Sequence, residues 1–319
     1  MKALFFDKDL KYISDYPKPV PAEGEALIKI RLAGVCNTDI EITKGYMHFK
    51  GVPGHEFVGI VEEVTGNDKK LLGKRVVGDI NCSCREPECE YCNKHLGRHC
   101  PDRITLGIDR KDGCFAEYIT LPVENLIEVP DSVSDENAVF AEPLAAAFEI
   151  LEQVEIKADK KVLIVGDGKL GILINHAIST TKAKIYHVGK HPEKLKLLSS
   201  DHCKILHKDQ EDNSKYDIVI EATGSPEGFQ YSVDHTKPRG ILVLKSTLAE
   251  SQNINLSPIV VNEITVVGSR CGIFSRAIDY LKTGVDFTPL VSGIFHIEKG
   301  VEAFAAATEK KAIKILISF

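Results

Sequence analysis

Short apolar and β-branched runs, separated by Gly, Pro, Asn and Asp, dominate residues 1–137: Ala26–Leu32, Phe57–Val64, Arg75–Ile80 and Phe115–Leu121. This texture predicts a strand-rich region. From about residue 143 the period changes. Pro143–Val154 carries apolar residues at three- and four-residue spacing and predicts a helix. Strands are then predicted at Lys161–Gly166, Lys184–Val188, Asp217–Glu221, Ile241–Lys245 and Ile264–Gly268, with helices at Gly168–Thr180 and Pro192–Ser200. Strands alternating with helices at this spacing predict a parallel, doubly wound sheet covered on both faces. The tail, 271–319, returns to short mixed elements and ends in AIKILISF, a run able to complete the first region's sheet. The expected organisation is therefore a β-rich domain from 1–142 and 271–319, and an α/β domain from 143–270.

Length agrees with about two domains, since 319 residues exceed what one core usually serves. A content of 43% hydrophobic and 27% charged residues is that of an ordinary globular chain. The net charge of −6 argues against a nucleic-acid partner. Apolar runs such as Val162–Val165 are far too short for a membrane span. The opening MKALFFDKDLKY meets Asp7 and Asp9 before any apolar stretch of signal-peptide length, so it reads as a first strand and the expected compartment is the cytoplasm. Five of the nine cysteines crowd into Cys82–Cys100, which in a reducing compartment suggests metal ligands rather than disulfides.

KVLIVGDGKLG places Gly166, Gly168 and Gly171 after a strand and at the start of a helix. Such a loop makes a tight turn, lets backbone approach a pyrophosphate, and allows close helix–sheet packing, while the helix N-terminus offers free N–H groups to phosphates. An acid about 20 residues further on would hold the ribose 2′-OH of NAD. That position falls on Gly189, followed by Lys190 and His191. With no carboxylate and two potential cations there, NADP is favoured over NAD. Glu193, four residues later, suits the first turn of the next helix instead.

Cys36-Asn37-Thr38-Asp39 and Gly54-His55-Glu56-Phe57-Val58-Gly59 together offer a thiolate, an imidazole and carboxylates, a set that suits zinc. CxTD, GHExxG and GxGxxG in this order resemble the medium-chain, zinc-containing alcohol and polyol dehydrogenases. The resemblance extends through LGKRVV, FAEYITLP, EATGSP and VGSRCG, and Ala141-Glu142-Pro143-Leu144 resembles the sorbitol, threonine and glucose dehydrogenase branches. It implies a GroES-like β-rich catalytic domain and a Rossmann domain, with the active site in the cleft between them.

The same resemblance implies residue roles. Cys36 and His55 match zinc ligands, and Glu56 matches a glutamate that ligates in some states and supports in others. Glu142 stands where polyol-type enzymes place a glutamate. Asp39 would accept the other N–H of His55, and Thr38 would hydrogen-bond the substrate oxygen and relay its proton. Glu41 replaces the histidine that often continues the relay. Leu170, together with Ala222 and Thr223 of EATGSP and Ser269 and Arg270 of VGSRCG, is expected at the dinucleotide. Cys89, Cys92 and Cys100 match three ligands of the family's structural zinc lobe, about 81–101. The first ligand is Cys84 or Cys82, with Cys84 favoured because VVGDIN aligns better that way. Two zinc ions per chain, a small alcohol, polyol or sugar substrate, and a homodimer or homotetramer follow. The rivals are a zinc-free quinone or enone reductase of the same superfamily, and a non-catalytic protein that binds zinc and dinucleotide.

Overall fold

The computed structural model describes residues 1–66, 69–198, 203–207, 214–247 and 254–319, and they divide into two compact units. The first comprises Met1–Glu142 and Phe274–Phe319, and the second Pro143–Ile273. In the first unit, β1 (Ala3–Phe6) and β2 (Leu10–Ile13) form a hairpin. The main sheet is built around the long strand β3 (Glu25–Gly34), in which buried Ile28, Ile30 and Leu32 alternate with exposed Lys29 and Arg31. One side of β3 pairs with β4 (Glu56–Val64), then β5 (Arg75–Gly78) and β10 (Leu126–Glu128). The other side pairs with β9 (Tyr118–Pro122) along its first half and with β18 (Lys314–Ser318) at its end; β17 (Val291–His296) lies beyond β18. AIKILISF thus supplies β18. A small sheet of β6 (Asn81–Cys82), β7 (Ile104–Leu106) and β8 (Arg110–Lys111) flanks the cysteine-rich segment. Short helices α1 (Asn37–Thr43), α2 (Glu90–Asn93), α3 (Asp135–Ala138), α9 (Phe274–Leu281) and α10 (Gly300–Ala307) complete the unit.

The chain enters the second unit within α4 (Ala141–Gln153). Here β11 (Lys161–Val165), β12 (Lys184–Gly189), β13 (Cys203–His207), β14 (Tyr216–Glu221), β15 (Thr236–Leu244) and β16 (Thr265–Gly268) form an all-parallel sheet in the order β13-β12-β11-β14-β15-β16. This is the doubly wound dinucleotide-binding order, whose crevice opens at the carboxyl ends of β11 and β14, where the winding reverses. Leu163, Val165, Val188, Val219 and Leu242 share one core, which explains why these strands read as near-continuous apolar runs. The remaining helices are α5 (Lys169–Ser179), α6 (Pro192–Leu195), α7 (Pro226–His235) and α8 (Ser257–Val261).

Three departures from the sequence pattern have physical causes. β13 is an edge strand with Lys204 and Ile205 exposed, so its apolar signal is too weak to read. α7 buries only two large apolar side chains, Phe229 and Val233, and announces itself by Ser225, whose hydroxyl accepts the Gly228 N–H, and by Pro226. β15 starts well before Ile241, but Pro238 and a left-handed Arg239 interrupt its first half. The expected helix Pro192–Ser200 is helical only over α6, residues 196–198 being turn and bend, and its last two residues lie outside the described segments.

Beneath the turn after β11 lies His187, fully buried, its Nε2 2.8 Å from the Gly166 carbonyl oxygen. Burial lowers its imidazole from 6.5 to about 4, so the ring is neutral and Nε2–H donates to that carbonyl. The unfolded chain takes this proton near pH 6.5 and the folded chain resists it until about pH 4. Stability from this group is therefore complete above the first value and declines as pH falls towards the second. The loss should reach roughly 3 kcal/mol, and His187→Gln, whose amide can still donate, should remove that part of it. Denaturant midpoints measured down the acid range check this.

Candidate active site and cofactor pocket

Strand register brings the chemistry of the first unit together. β3 and β4 are antiparallel with Gly34 opposite Glu56, so Cys36, two residues past one partner, meets His55, one before the other. β18 is antiparallel to β3 with Leu316 opposite Gly34, which delivers Lys314 to the same end. Cys36 Sγ, a ring nitrogen of His55 and a carboxylate oxygen of Glu56 all lie within 4.8 Å of one another.

Asp39 organises the group. Cys36 is the N-cap of α1, and its N–H donates to Asp39 Oδ2 at 2.8 Å. The other oxygen, Oδ1, sits 3.2 Å from His55 Nδ1. One fully buried carboxylate thereby positions both the thiol and the imidazole. Burial pulls the His55 imidazole down, but Asp39 and Cys36 outweigh it and hold it well above its ordinary value. The negative field that does this also favours a dication, and the donor set fits zinc. Thr38 is half-buried with Oγ1 3.8 Å from Cys36 Sγ. Glu142 is not in the three-residue group; after burial and Asp39, its charge helps push the buried Cys114 thiol up.

The residue that sequence reading missed here is Lys314. It is fully buried, its ammonium contacts Glu56 Oε2, and its Nζ lies 3.4 Å from the Val35 carbonyl oxygen. Burial lowers it to about 8 although Cys36 and Asp39 oppose this. The only signal was a lysine inside the apolar run of β18.

In the cysteine-rich segment Cys84, Cys89, Cys92 and Cys100 come together. Sγ separations are 3.8 Å for Cys84–Cys92, 3.8 Å for Cys89–Cys100 and 3.4 Å for Cys84–Cys100. A tetrahedron with metal–sulfur bonds of about 2.3 Å has edges of about 3.8 Å, so this set fits a closed zinc site. Cys82 is buried in β6, outside the group.

In the second unit a cavity of about 300 Å³ opens at the carboxyl ends of β11, β12 and β14. Gly166, Gly168, Gly189, Lys190, His191, Ala222 and Thr223 all line it. Gly166 turns with φ +123°, and a Cβ there would stand 2.7 Å from the Ala222 carbonyl oxygen. A Cβ on Gly171 would collide with Gly166 O, so the start of α5 can pack on the turn only as glycine. Gly168 is different: a side chain there would meet nothing within 4 Å and would enter the open cradle itself. That is the fit expected for a pyrophosphate against the N-terminus of α5. Leu170, on α5, is not among the lining residues. Nor are Ser269 and Arg270: buried Lys245 donates to Ser269 Oγ at 3.1 Å and to the carbonyls of Arg270 and Ala146 at 2.9 and 2.7 Å. Glu221 orders the adjacent turn by accepting from the Thr223 and Gly224 N–H groups at 2.6 and 3.1 Å. Asp167, between the first two glycines, also lines the cavity.

Residues 22–131 match the alcohol dehydrogenase GroES-like domain and residues 170–283 the zinc-binding dehydrogenase domain. The chain belongs to the zinc-containing medium-chain alcohol and polyol dehydrogenase family. It is a nicotinamide-dependent oxidoreductase with a GroES-like and a Rossmann-type domain. It is 26% identical to D-arabinitol dehydrogenase 1 of Uromyces fabae over 342 aligned positions, covering 99% of this chain and 97% of that protein. It is also 26% identical to a sorbitol dehydrogenase of Halalkalibacterium halodurans, covering 96% and 95%. An alcohol dehydrogenase from E. coli CFT073, complexed with NADH, superposes with a TM-score of 0.88 at 26% identity, covering 100% of this chain and 99% of that one. No described helix is long and apolar enough to cross a membrane.

The buried Lys314–Glu56 pair generates a stability prediction. Lys314→Met leaves a carboxylate without its cation in a dry site and should cost about 3–5 kcal/mol, whereas Lys314→Met with Glu56→Gln should recover most of that. Chemical denaturation of the two variants checks both outcomes.

Proposed function

We propose that this dehydrogenase moves a hydride between a secondary alcohol or polyol, or the matching carbonyl, and NAD(P). The observation that carries the reading is the Cys36–His55–Glu56 group, organised by one buried aspartate, in a chain that also bears a glycine-lined cavity at a Rossmann switch point. Cys36 and His55 would hold the catalytic zinc, with Glu56 or Glu142 completing or supporting the set. A zinc ion so held would supply Lewis acidity towards a substrate oxygen, and a bound nicotinamide would supply the hydride acceptor or donor. Asp39 keeps the His55 ring in one orientation, and Thr38 accepts the proton of the substrate hydroxyl and passes it outwards. Cys84, Cys89, Cys92 and Cys100 would hold a second, structural zinc, giving two per chain.

Sugar alcohols and related polyols are the proposed substrates, because the full-length relatives named for arabinitol and sorbitol have that chemistry. NADP is favoured over NAD, with Lys190 the cation that attracts a 2′-phosphate and His191 beside it in the cavity. The protein works in the cytoplasm as a homodimer or homotetramer. The edge of the sheet at β16, with exposed Val266, and the exposed Val260 and Val261 of α8 are a surface that a second copy could cover.

Cys36→Ser or His55→Ala should abolish turnover of a polyol panel and lower zinc from about two to about one per chain, with NADH affinity changed by no more than a few-fold. Near-native turnover after zinc removal would point to an enone-reductase chemistry instead. Full zinc loading with cofactor binding but no turnover across alcohols, polyols and sugars would point to a non-catalytic protein. Cys92→Ser should remove the other zinc and lower the melting temperature, because a structural metal's binding energy is partly folding energy. Metal analysis with thermal melting reads both.

A further inference from the structure

We propose that Asp167, inside the glycine loop, is the residue that limits binding of a 2′-phosphorylated dinucleotide in this pocket. The proposal rests on the reading of the cavity as an NAD(P) site. In that fold the adenosine ribose meets the carboxyl end of the second strand, where an acid on that strand would accept its 2′-OH. This chain has Gly189 at that point. The structure supplies a carboxylate there from a different segment. A Cβ built on Gly189 would stand 2.5 Å from Asp167 Cβ and 2.6 Å from Asp167 Oδ2. The Asp167 side chain therefore occupies the space that a side chain at the end of β12 would take.

Asp167 also holds the His191 side chain, one of the two residues expected to attract the phosphate. Its Oδ2 accepts the His191 N–H at 2.6 Å and lies 3.1 Å from His191 Nδ1. The carboxylate is mostly buried, at 12% side-chain exposure, so solvent screens its charge weakly. Burial would raise its pKa, but the hydrogen bonds and charge of His191 prevail and keep it below the usual range, so it is ionised near neutrality. A free ribose hydroxyl can donate to such a group. A phosphate carrying nearly two negative charges is repelled by it, and finds the His191 ring already committed. Lys190 pulls towards the phosphate while Asp167 pushes away, and the preference is their difference.

Gly189→Asp, the substitution that would ordinarily reverse a preference for NADP, is confounded here, because the new side chain would collide with Asp167. The informative change is at 167. Dissociation constants for NADH and NADPH, read by fluorescence titration of the purified protein, are to be compared among the native chain, Asp167→Asn, Asp167→Ala, and Asp167→Ala combined with Gly189→Asp. Both single variants should shift the NADH-to-NADPH ratio of dissociation constants towards NADPH by about tenfold or more, with melting temperatures close to native. The combined variant returns a carboxylate to the strand end and should bring the ratio back to within about threefold of native. If folded single variants bind both cofactors with a ratio within about twofold of native, Asp167 does not discriminate and the proposal is overturned. A native protein that binds neither cofactor overturns the dinucleotide reading, and this one with it.

Discussion

Burying charge is among the most expensive things a folded chain does, and it is tolerated only where every charge has a counterpart. In the first unit Asp39, His55, Glu56 and Lys314 are all essentially removed from water at one end of one sheet. None of them would be stable there alone. Asp39 faces the Cys36 N–H and the His55 ring, while Glu56 faces the Lys314 ammonium. The strand pairings of β3 with β4 and β18 exist in a register that makes these encounters unavoidable. A one-residue slip of β4 or β18 would send Glu56 or Lys314 to the opposite face of the sheet. Register, rather than any single ligand, is what assembles a site able to hold a dication.

The second unit solves a related problem with backbone instead of side chains. Phosphates are met by N–H groups that a helix start leaves unpaired, so the loop must bring chain segments unusually close. Gly166 and Gly171 permit that approach, and neutral His187 props the turn from below through Gly166 O. Selectivity is then left to side chains at the rim. Asp167 shows how an expected acid can arrive from a neighbouring loop when the usual position is glycine, since the pocket requires a charge at a place and not at a sequence number.

The cysteine-rich segment is the third constraint. Residues 81–101 carry little apolar surface of their own, with α2 only one turn long and none of its residues buried. Its four sulfurs gather near tetrahedral-edge spacing, the arrangement in which a bound metal would supply the organisation that a hydrophobic core otherwise provides.

Local signals carry the parts of this protein that local physics controls. The apolar runs of a parallel sheet, the glycines of a strand–turn–helix and the clustering of cysteines are short-range patterns from which the α/β class was legible in the amino-acid sequence alone, while the zinc dehydrogenase family came from the resemblance of its CxTD, GHExxG and GxGxxG motifs. Edge strand β13 and the sparsely buried α7 were not, because an element that buries one side or less leaves only a faint periodicity. The Lys314–Glu56 pair and the contact of Asp167 with Gly189 were likewise hidden. Lysine in an apolar strand and aspartate in a glycine loop each look incidental until pairing across the sheet brings their partners within reach. Sequence determined which elements form and which chemistries are on offer; tertiary structure alone decided which charges neutralise one another, because Coulomb attraction depends on distance in space and not along the chain.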